Sequence, residues 1–230
     1  MQAVILSGGL GSRLKPFTEV IPKPLLPIGE KAVLEIQIER LRASGFTEII
    51  LATNYKSEYI ESFFGDGSRY GVDLRISKEA EPLGTAGPLS LLRDSLKEPF
   101  LVMNGDILTL LDFRKMYDYA RELNHPLTLG IKKEILPFAF GNIFFVGDYV
   151  TNIQEKPNIE LYILAGIYIM TPQIFDHIPQ NRYFGMDELI KKLLAENVQV
   201  PKYDIREYWL DIGRVGDYEK AQDVYKQHFQ

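Results

Sequence analysis

The segment Leu6-Ser7-Gly8-Gly9-Leu10-Gly11-Ser12-Arg13, followed by Pro22-Lys23-Pro24-Leu25, holds the residue types that a polyphosphate requires. Glycines let the backbone approach a bulky anion and turn free N–H groups toward its oxygens. Arg13 and Lys23 add two fixed positive charges of the kind a triphosphate needs. A glycine turn alone is common; one backed by Arg13 and a Pro-Lys-Pro segment is specific. Four more segments join it: residues 79–87 (EAEPLGTAG), Asn104-Gly105-Asp106, Glu155-Lys156-Pro157, and Trp209-Leu210-Asp211-Ile212-Gly213. They contribute two separated aspartates, further basic and acidic contacts, and a second glycine turn opening a helix. Read singly, Asp106 and Asp211 are also ordinary turn or helix-capping residues, and Lys156 an ordinary turn residue before proline.

These groups need elements that hold them at one edge. Apolar runs at residues 4–6, 48–52, 73–76 and 100–103 read as strands, and residues 32–44, 57–64 and 85–96 carry apolar positions at helical spacing. Gly45 stands where the first of those helices would be C-capped. Strands alternating with helices of this length imply right-handed βαβ units and a mainly parallel sheet, whose ligands bind beyond the carboxyl ends of the strands. The glycine loop and Asn104-Gly105-Asp106 both fall there. After an expected helix over 111–123, strands dominate at 127–131, 141–146, 150–155 and 162–170, with Gly147-Asp148 as a turn; helices return at 186–196 and 217–228. The expected fold is α/β, a Rossmann-like mixed, mainly parallel sheet flanked by helices, as one domain over 1–230.

The chain has 230 residues, enough for one well-packed α/β domain. Its net charge of -5 argues against a general nucleic-acid binder, whose footprint would be basic. It has no cysteine, so disulfides and thiolate metal sites are excluded, which suits a cytoplasmic protein. No signal peptide or membrane span is expected. His125, His177 and His228 lack ligand spacing, and Tyr208 and Trp209 read as packing residues.

The motifs resemble, in order and over essentially the whole chain, those of the sugar-1-phosphate nucleotidylyltransferases, the family of mannose-1-phosphate guanylyltransferase and glucose-1-phosphate thymidylyltransferase. G-G-x-G-x-R-L-x-P-x-T runs from Gly8 to Thr18 and P-K-P-L from Pro22 to Leu25; L-G-T-A-G, N-G-D, E-K-P, A-G-I-Y and E-Y-W-L-D-I-G follow. Leu164, where Asn often precedes A-G-I-Y, and Phe140-Gly141-Asn142, in place of Y-G-V, are the departures. The resemblance implies a nucleotide-diphospho-sugar transferase (GT-A-like) fold, with a nucleotide half over about 1–110 and a sugar-phosphate half over about 111–230. It implies a Mg²⁺-dependent, in-line attack of a sugar 1-phosphate on the α-phosphate of a nucleoside triphosphate, releasing pyrophosphate. Asp106 and Asp211 would hold Mg²⁺, and Arg13 and Lys23 would act on the phosphates. Leu6, Ser7, Gly8, Gly9, Gly11, Glu79, Gly84 and Thr85 would bind the nucleotide. Asn104, Gly141, Glu155, Lys156 and Gly166 would bind the sugar phosphate.

Glu79 (Glu81, if the alignment shifts) stands where thymidylyltransferases place a glutamine facing the base. Guanine offers two adjacent donors to one carboxylate, whereas uracil and thymine offer one N–H between two carbonyls, so GTP is favoured over UTP, dTTP or CTP. Mannose, heptose and glucosamine 1-phosphates remain equal candidates, and the sequence leaves the oligomeric state open, a homo-oligomer being one possibility because small members of the family commonly self-associate. Rival readings fare worse. A nicotinamide dehydrogenase would need glycine where Leu14 stands and a ribose-binding Asp or Glu at the end of the second strand, which instead ends in Ala52-Thr53-Asn54. A P-loop would need G-x-x-x-x-G-K-[ST]. A catalytically silent regulatory homologue would be expected to have lost Arg13, Asp106 or Asp211.

Overall fold

The computed structural model describes residues 1–9 and 11–229; Leu10 of the glycine-rich motif lies outside the described residues. In chain order the elements are β1 (Gln2–Leu6), α1 (Phe17–Val20), β2 (Pro27–Ile28), β3 (Lys31–Ala32), α2 (Val33–Ala43), β4 (Glu48–Thr53), α3 (Ser57–Phe64), β5 (Asp73–Lys78), β6 (Phe100–Asn104) and β7 (Ile107–Thr109). Then follow α4 (Phe113–Leu123), β8 (Leu127–Pro137), β9 (Asn142–Val146), β10 (Tyr149–Gln154), β11 (Asn158–Met170), α5 (Met186–Ala195), β12 (Lys202–Asp204), β13 (Trp209–Asp211) and α6 (Val215–His228).

Seven strands form one sheet in the order β12-β8-β11-β6-β1-β4-β5. Neighbours run parallel except where β11 pairs antiparallel with β6 and β8. Period-two alternation divides the core between the two faces. Ala3 and Ile5 of β1 pack with Leu34 and Ile38 of α2 and Phe113 and Met116 of α4, while Val4 faces Leu89, Leu92, Leu189 and Leu193 on the opposite side. The α2 helix ends as its glycine leads one to expect: Gly45 has φ 90°, its N–H donates to Arg42 O at 2.9 Å, and Phe46 N–H donates to Leu41 O at 3.0 Å, the two bonds of a Schellman stop.

Two differences from the sequence pattern matter. Residues 85–96 form no α-helix but a short 3₁₀ segment, Gly87–Leu92. Buried Ala86, Leu89 and Leu92 recur every third residue, the 3₁₀ repeat, so apolar spacing alone left the two helix types unresolved. The strands of the second half also run further than expected. β8 and β11 stay paired from Met170–Leu127 out to Asn158–Pro137, and the β9–β10 hairpin sits between their distal ends. Gly147, φ 57°, opens the two-residue turn of that hairpin.

Candidate active site

The sheet order reverses beside β1, where β6 flanks one side and β4 the other; ligands of open α/β sheets bind at such a switch point. Leu6 and Asn104, the last residues of β1 and β6, are register partners, and Gly105 N–H donates to Leu6 O at 2.9 Å. A Cβ on Gly105 would stand 2.9 Å from that same oxygen, so the two loops touch only because this residue is glycine. A cavity of about 450 Å³ opens above them, lined by Leu6, Ser7, Gly8, Gly9 and Gly11 on one side and Asn104, Gly105 and Asp106 on the other. Gly11, φ 60°, is held by Thr18, whose Oγ1 donates to Gly11 O at 2.8 Å, and its missing Cβ leaves room for the Thr18 methyl.

Four charged side chains meet at the same edge. Arg13, Lys23 and Asp106 line the cavity, and Lys23 Nζ is paired with Asp106 Oδ2. Antiparallel pairing of β7 with β13 sets Asp211 opposite Ile107, and Ile212 N–H donates to Asp106 O at 2.9 Å, which brings the second aspartate beside the first. Burial, aided by the negative charge of Asp106, holds the Asp211 carboxyl above the usual carboxylate range; Lys23 and Arg13 oppose that shift. Asp106 Oδ1 and Asp211 Oδ1 are both buried without a hydrogen-bond partner. Two adjacent carboxylates with orphaned buried oxygens fit a hard divalent cation, which commonly takes one or two protein carboxylates and completes its shell with substrate phosphates and water. Gln37 of α2, buried, fixes the turn that carries Asp106 by donating to Asn104 O at 3.0 Å and Ile107 O at 2.7 Å. Nothing in the pattern of α2 marked Gln37 beyond its being a polar residue on an otherwise apolar face.

At the other end of the cavity stand Glu79, Gly84 and Thr85. Glu79 Oε2 accepts the Leu83 N–H at 2.8 Å, Oε1 lies 3.0 Å from where a Cβ on Gly8 would be, and burial raises the carboxyl above its ordinary value against the Leu83 bond. Glu81, the alternative register, is exposed and does not line the cavity. Thr85 lines the wall, but its Oγ1 accepts the Met186 N–H at 2.7 Å and so caps α5. Tyr183 and Asn54 also line this end. Sequence reasoning missed both as site residues.

The residues expected on the sugar side lie apart from one another. Asn104 lines the cavity, and a Cβ on Gly166, φ 66°, would stand 2.6 Å from Asn104 Nδ2, so these two are neighbours. Gly141 and Glu155 adjoin each other at the root of the β9–β10 hairpin, where a Cβ on Gly141 would lie 3.2 Å from Glu155 Oε2. Lys156 follows, exposed, with φ 45°. Gly141, Glu155, Lys156 and Gly166 are not among the residues lining the cavity at the switch point. Trp209 packs, its Nε1 donating to Ala165 O at 2.8 Å. No helix among the described residues is long and apolar enough to cross a membrane.

Residues 2–228 match the family model described as nucleotidyl transferase. The chain is similar to the mannose-1-phosphate guanyltransferase of Candida albicans, 35% identical over 235 residues that cover 98% of this chain and 64% of that protein. It thus spans about two thirds of that relative's length. It is also similar to the structure of HddC from Yersinia pseudotuberculosis, with 30% identity, a TM-score of 0.76, and coverage of 97% of this chain and 99% of that one. HddC complexed with GMP-PN matches with 28% identity and a TM-score of 0.75, over the same shares of the two chains.

Proposed function

The chain belongs to the nucleotidyl transferase family, and from that premise we propose that it transfers a guanylyl group from GTP to a sugar 1-phosphate, yielding a GDP-sugar and pyrophosphate. The observation that carries this reading is the convergence of Arg13, Lys23, Asp106 and Asp211 at the switch point beside a glycine-lined cavity. Guanine as the base is supported by Glu79 at the far end of that cavity and by the relatives: a guanyltransferase by name, and HddC, which was solved with GMP-PN. Mannose 1-phosphate is the first acceptor to try, on the name of the Candida albicans relative; heptose and glucosamine 1-phosphates come next. Residues about 1–110 would serve the nucleotide and about 111–230 the sugar phosphate, within one domain.

A phosphate monoester is ionised at neutral pH, so its oxygen needs no general base to attack the α-phosphorus. A new P–O bond forms as the α–β anhydride bond breaks, and pyrophosphate leaves with the electron pair. The site's work is therefore alignment and charge neutralisation. Backbone N–H groups of the glycine loop hold the triphosphate, and Arg13 offsets charge gathering on the departing pyrophosphate. Lys23, which is paired with Asp106, would offset charge on the group in flight. Asp106 and Asp211 would hold Mg²⁺, whose chemistry when bound is to neutralise the reacting phosphate oxygens. Asn104, Gly166, Gly141, Glu155 and Lys156 orient the sugar phosphate. The test is pyrophosphate release from each nucleoside triphosphate paired with each sugar 1-phosphate. GTP with a manno-configured phosphate is expected to lead; preference for UTP or dTTP overturns the Glu79 argument, and no release with any pair overturns the reaction.

A further inference from the structure

Arg13 and Lys23, the two cations assigned to the phosphates, sit at opposite ends of a thinly anchored segment. Between them only Leu14, Thr18 and Pro22 are buried, and α1, a single turn, is too short to hold its own shape. Thr18 fixes the near end through Gly11 O. The far end is held from another part of the fold. Lys56, in the turn between β4 and α3, donates from Nζ to Glu19 O at 2.6 Å and to Val20 O at 3.0 Å. Carbonyls at the end of a helix lack intrahelical partners, so an outside donor completes them. The ammonium also lies over the rings of Tyr55 and Tyr59, 5.2 and 5.6 Å from their centroids, so two carbonyls and two rings converge on it.

The backbone of Lys56 is unusual for this contact. Its φ is 53°, in the left-handed region, where glycine or asparagine costs less than lysine. Backbone strain at a residue whose ammonium is engaged on two carbonyls points to a role for that side chain. The same turn reaches the base end of the cavity. Asn54, which lines the cavity, donates from Nδ2 to Glu79 O at 3.2 Å, and Glu79 N–H donates to Thr53 O at 2.9 Å. A Cβ on Gly8 would lie 3.4 Å from Asn54 Cβ and from its backbone nitrogen. Residues 53–56 thus touch the glycine loop, the base-side glutamate and the segment that joins Arg13 to Lys23.

We propose that Lys56 is a positioning residue: by tying the end of α1 to the turn that carries Asn54, it holds Arg13 and Lys23 in fixed relation to each other and to Glu79. The role rests on the nucleotidyl transfer proposed above, to which Lys56 itself contributes no contact with substrate. Lys56→Asn tests it, because asparagine suits the left-handed backbone while removing the ammonium. Its kcat for pyrophosphate release is expected to fall about ten-fold or more, with KM for the sugar 1-phosphate unchanged. Its unfolding midpoint is expected to stay within about 3 °C of the unaltered chain, since relief of the backbone offsets two exposed hydrogen bonds. An unchanged kcat overturns the proposal. So does a larger fall in the midpoint, which would make Lys56 a structural residue. Amide exchange separates this inference from the reaction itself. Without nucleotide, residues 17–21 of Lys56→Asn are expected to exchange several-fold faster than in the unaltered chain, and residues 100–104 at the same rate. Unaltered exchange over 17–21 overturns the positioning role whatever the reaction. If the unaltered chain releases no pyrophosphate, the reaction fails instead, and faster exchange over 17–21 still supports the tie between Lys56 and α1.

Discussion

Asp106 and Asp211 place two negative charges side by side with a buried oxygen of each left without a donor, an arrangement that costs the empty fold stability and suits it to a cation. Asp211→Asn is therefore expected to raise the unfolding midpoint of the metal-free protein by about 2–4 °C, the shift that about 1 kcal/mol produces at this size. The same variant is expected to cut pyrophosphate release about a hundred-fold or more. Calorimetry with and without Mg²⁺, beside the release assay, checks both; a variant that is less stable and fully active would sink the pairing argument. Glu79 permits a pH prediction. Burial puts its folded pKa above 4.5, so the folded chain keeps the proton to a higher pH than the unfolded one. The cost of this ionisation to stability thus grows as pH rises through the window between 4.5 and the raised value, and is complete above it. Guanine's two donors need the ionised form. GTP affinity is expected to decline on acidification earlier than an ordinary glutamate would dictate, and Glu79→Gln to flatten that limb while losing affinity throughout. Calorimetric titration of GTP at descending pH measures it; identical pH profiles for the two proteins would remove Glu79 from the base site.

Elements rather than single side chains decide what Thr85 does. The L-G-T-A-G segment reads as a phosphate or base contact, and in the structure the Thr85 hydroxyl oxygen accepts the Met186 N–H at the start of α5. Thr85→Ala is expected to cost about 1 kcal/mol, the ordinary worth of a helix cap, and to lower the midpoint by about 2–4 °C with little change in KM for the nucleotide. Thr85→Ser should restore the midpoint. A large KM increase without a stability change would return Thr85 to the ligand. The same distinction explains what was legible in sequence. Period-two strands and glycine stops showed in local pattern, which is why β1, β4, α2 and α3 stand where expected. Glycines 8, 9 and 11, with Arg13 and Lys23, could be grouped because one loop carries most of them. The β7–β13 ribbon could not be read: two three-residue strands about a hundred residues apart carry no periodicity, and their pairing alone brings Asp211 to Asp106. Gln37 was hidden for a related reason, since its partners are backbone carbonyls about seventy residues on, and carbonyls leave no mark in a sequence.

On the scale of the molecule, the proposed site would divide between a tightly packed sheet edge and the exposed β9–β10 hairpin. The glycine loop, Lys23 and the aspartates rest on β1, β6 and the β7–β13 ribbon, backed by the main core. Gly141, Glu155 and Lys156 stand at the root of the hairpin, where side chains are mostly exposed and local opening is least costly. The two substrates should accordingly leave different footprints in amide hydrogen exchange. A non-hydrolysable GTP analogue is expected to slow exchange over residues 7–15 and 79–87, where some amides are already bonded, Leu14 N–H to Gly11 O and Leu83 N–H to the Glu79 carboxylate. A sugar 1-phosphate is expected to slow it over residues 138–157 and near Gly166, with the larger change because that segment has more freedom to lose. Ligand present at a hundred times its Kd would stabilise the bound fold by about 2.7 kcal/mol, enough to register in any segment whose opening exposes the site. If both ligands protect the same residues, the division into a nucleotide half and a sugar-phosphate half is wrong. If the sugar 1-phosphate protects only the neighbourhood of Asn104 and Gly166, Glu155 and Lys156 belong to the hairpin's own structure, and Asn104 with Gly166 carries the sugar side alone.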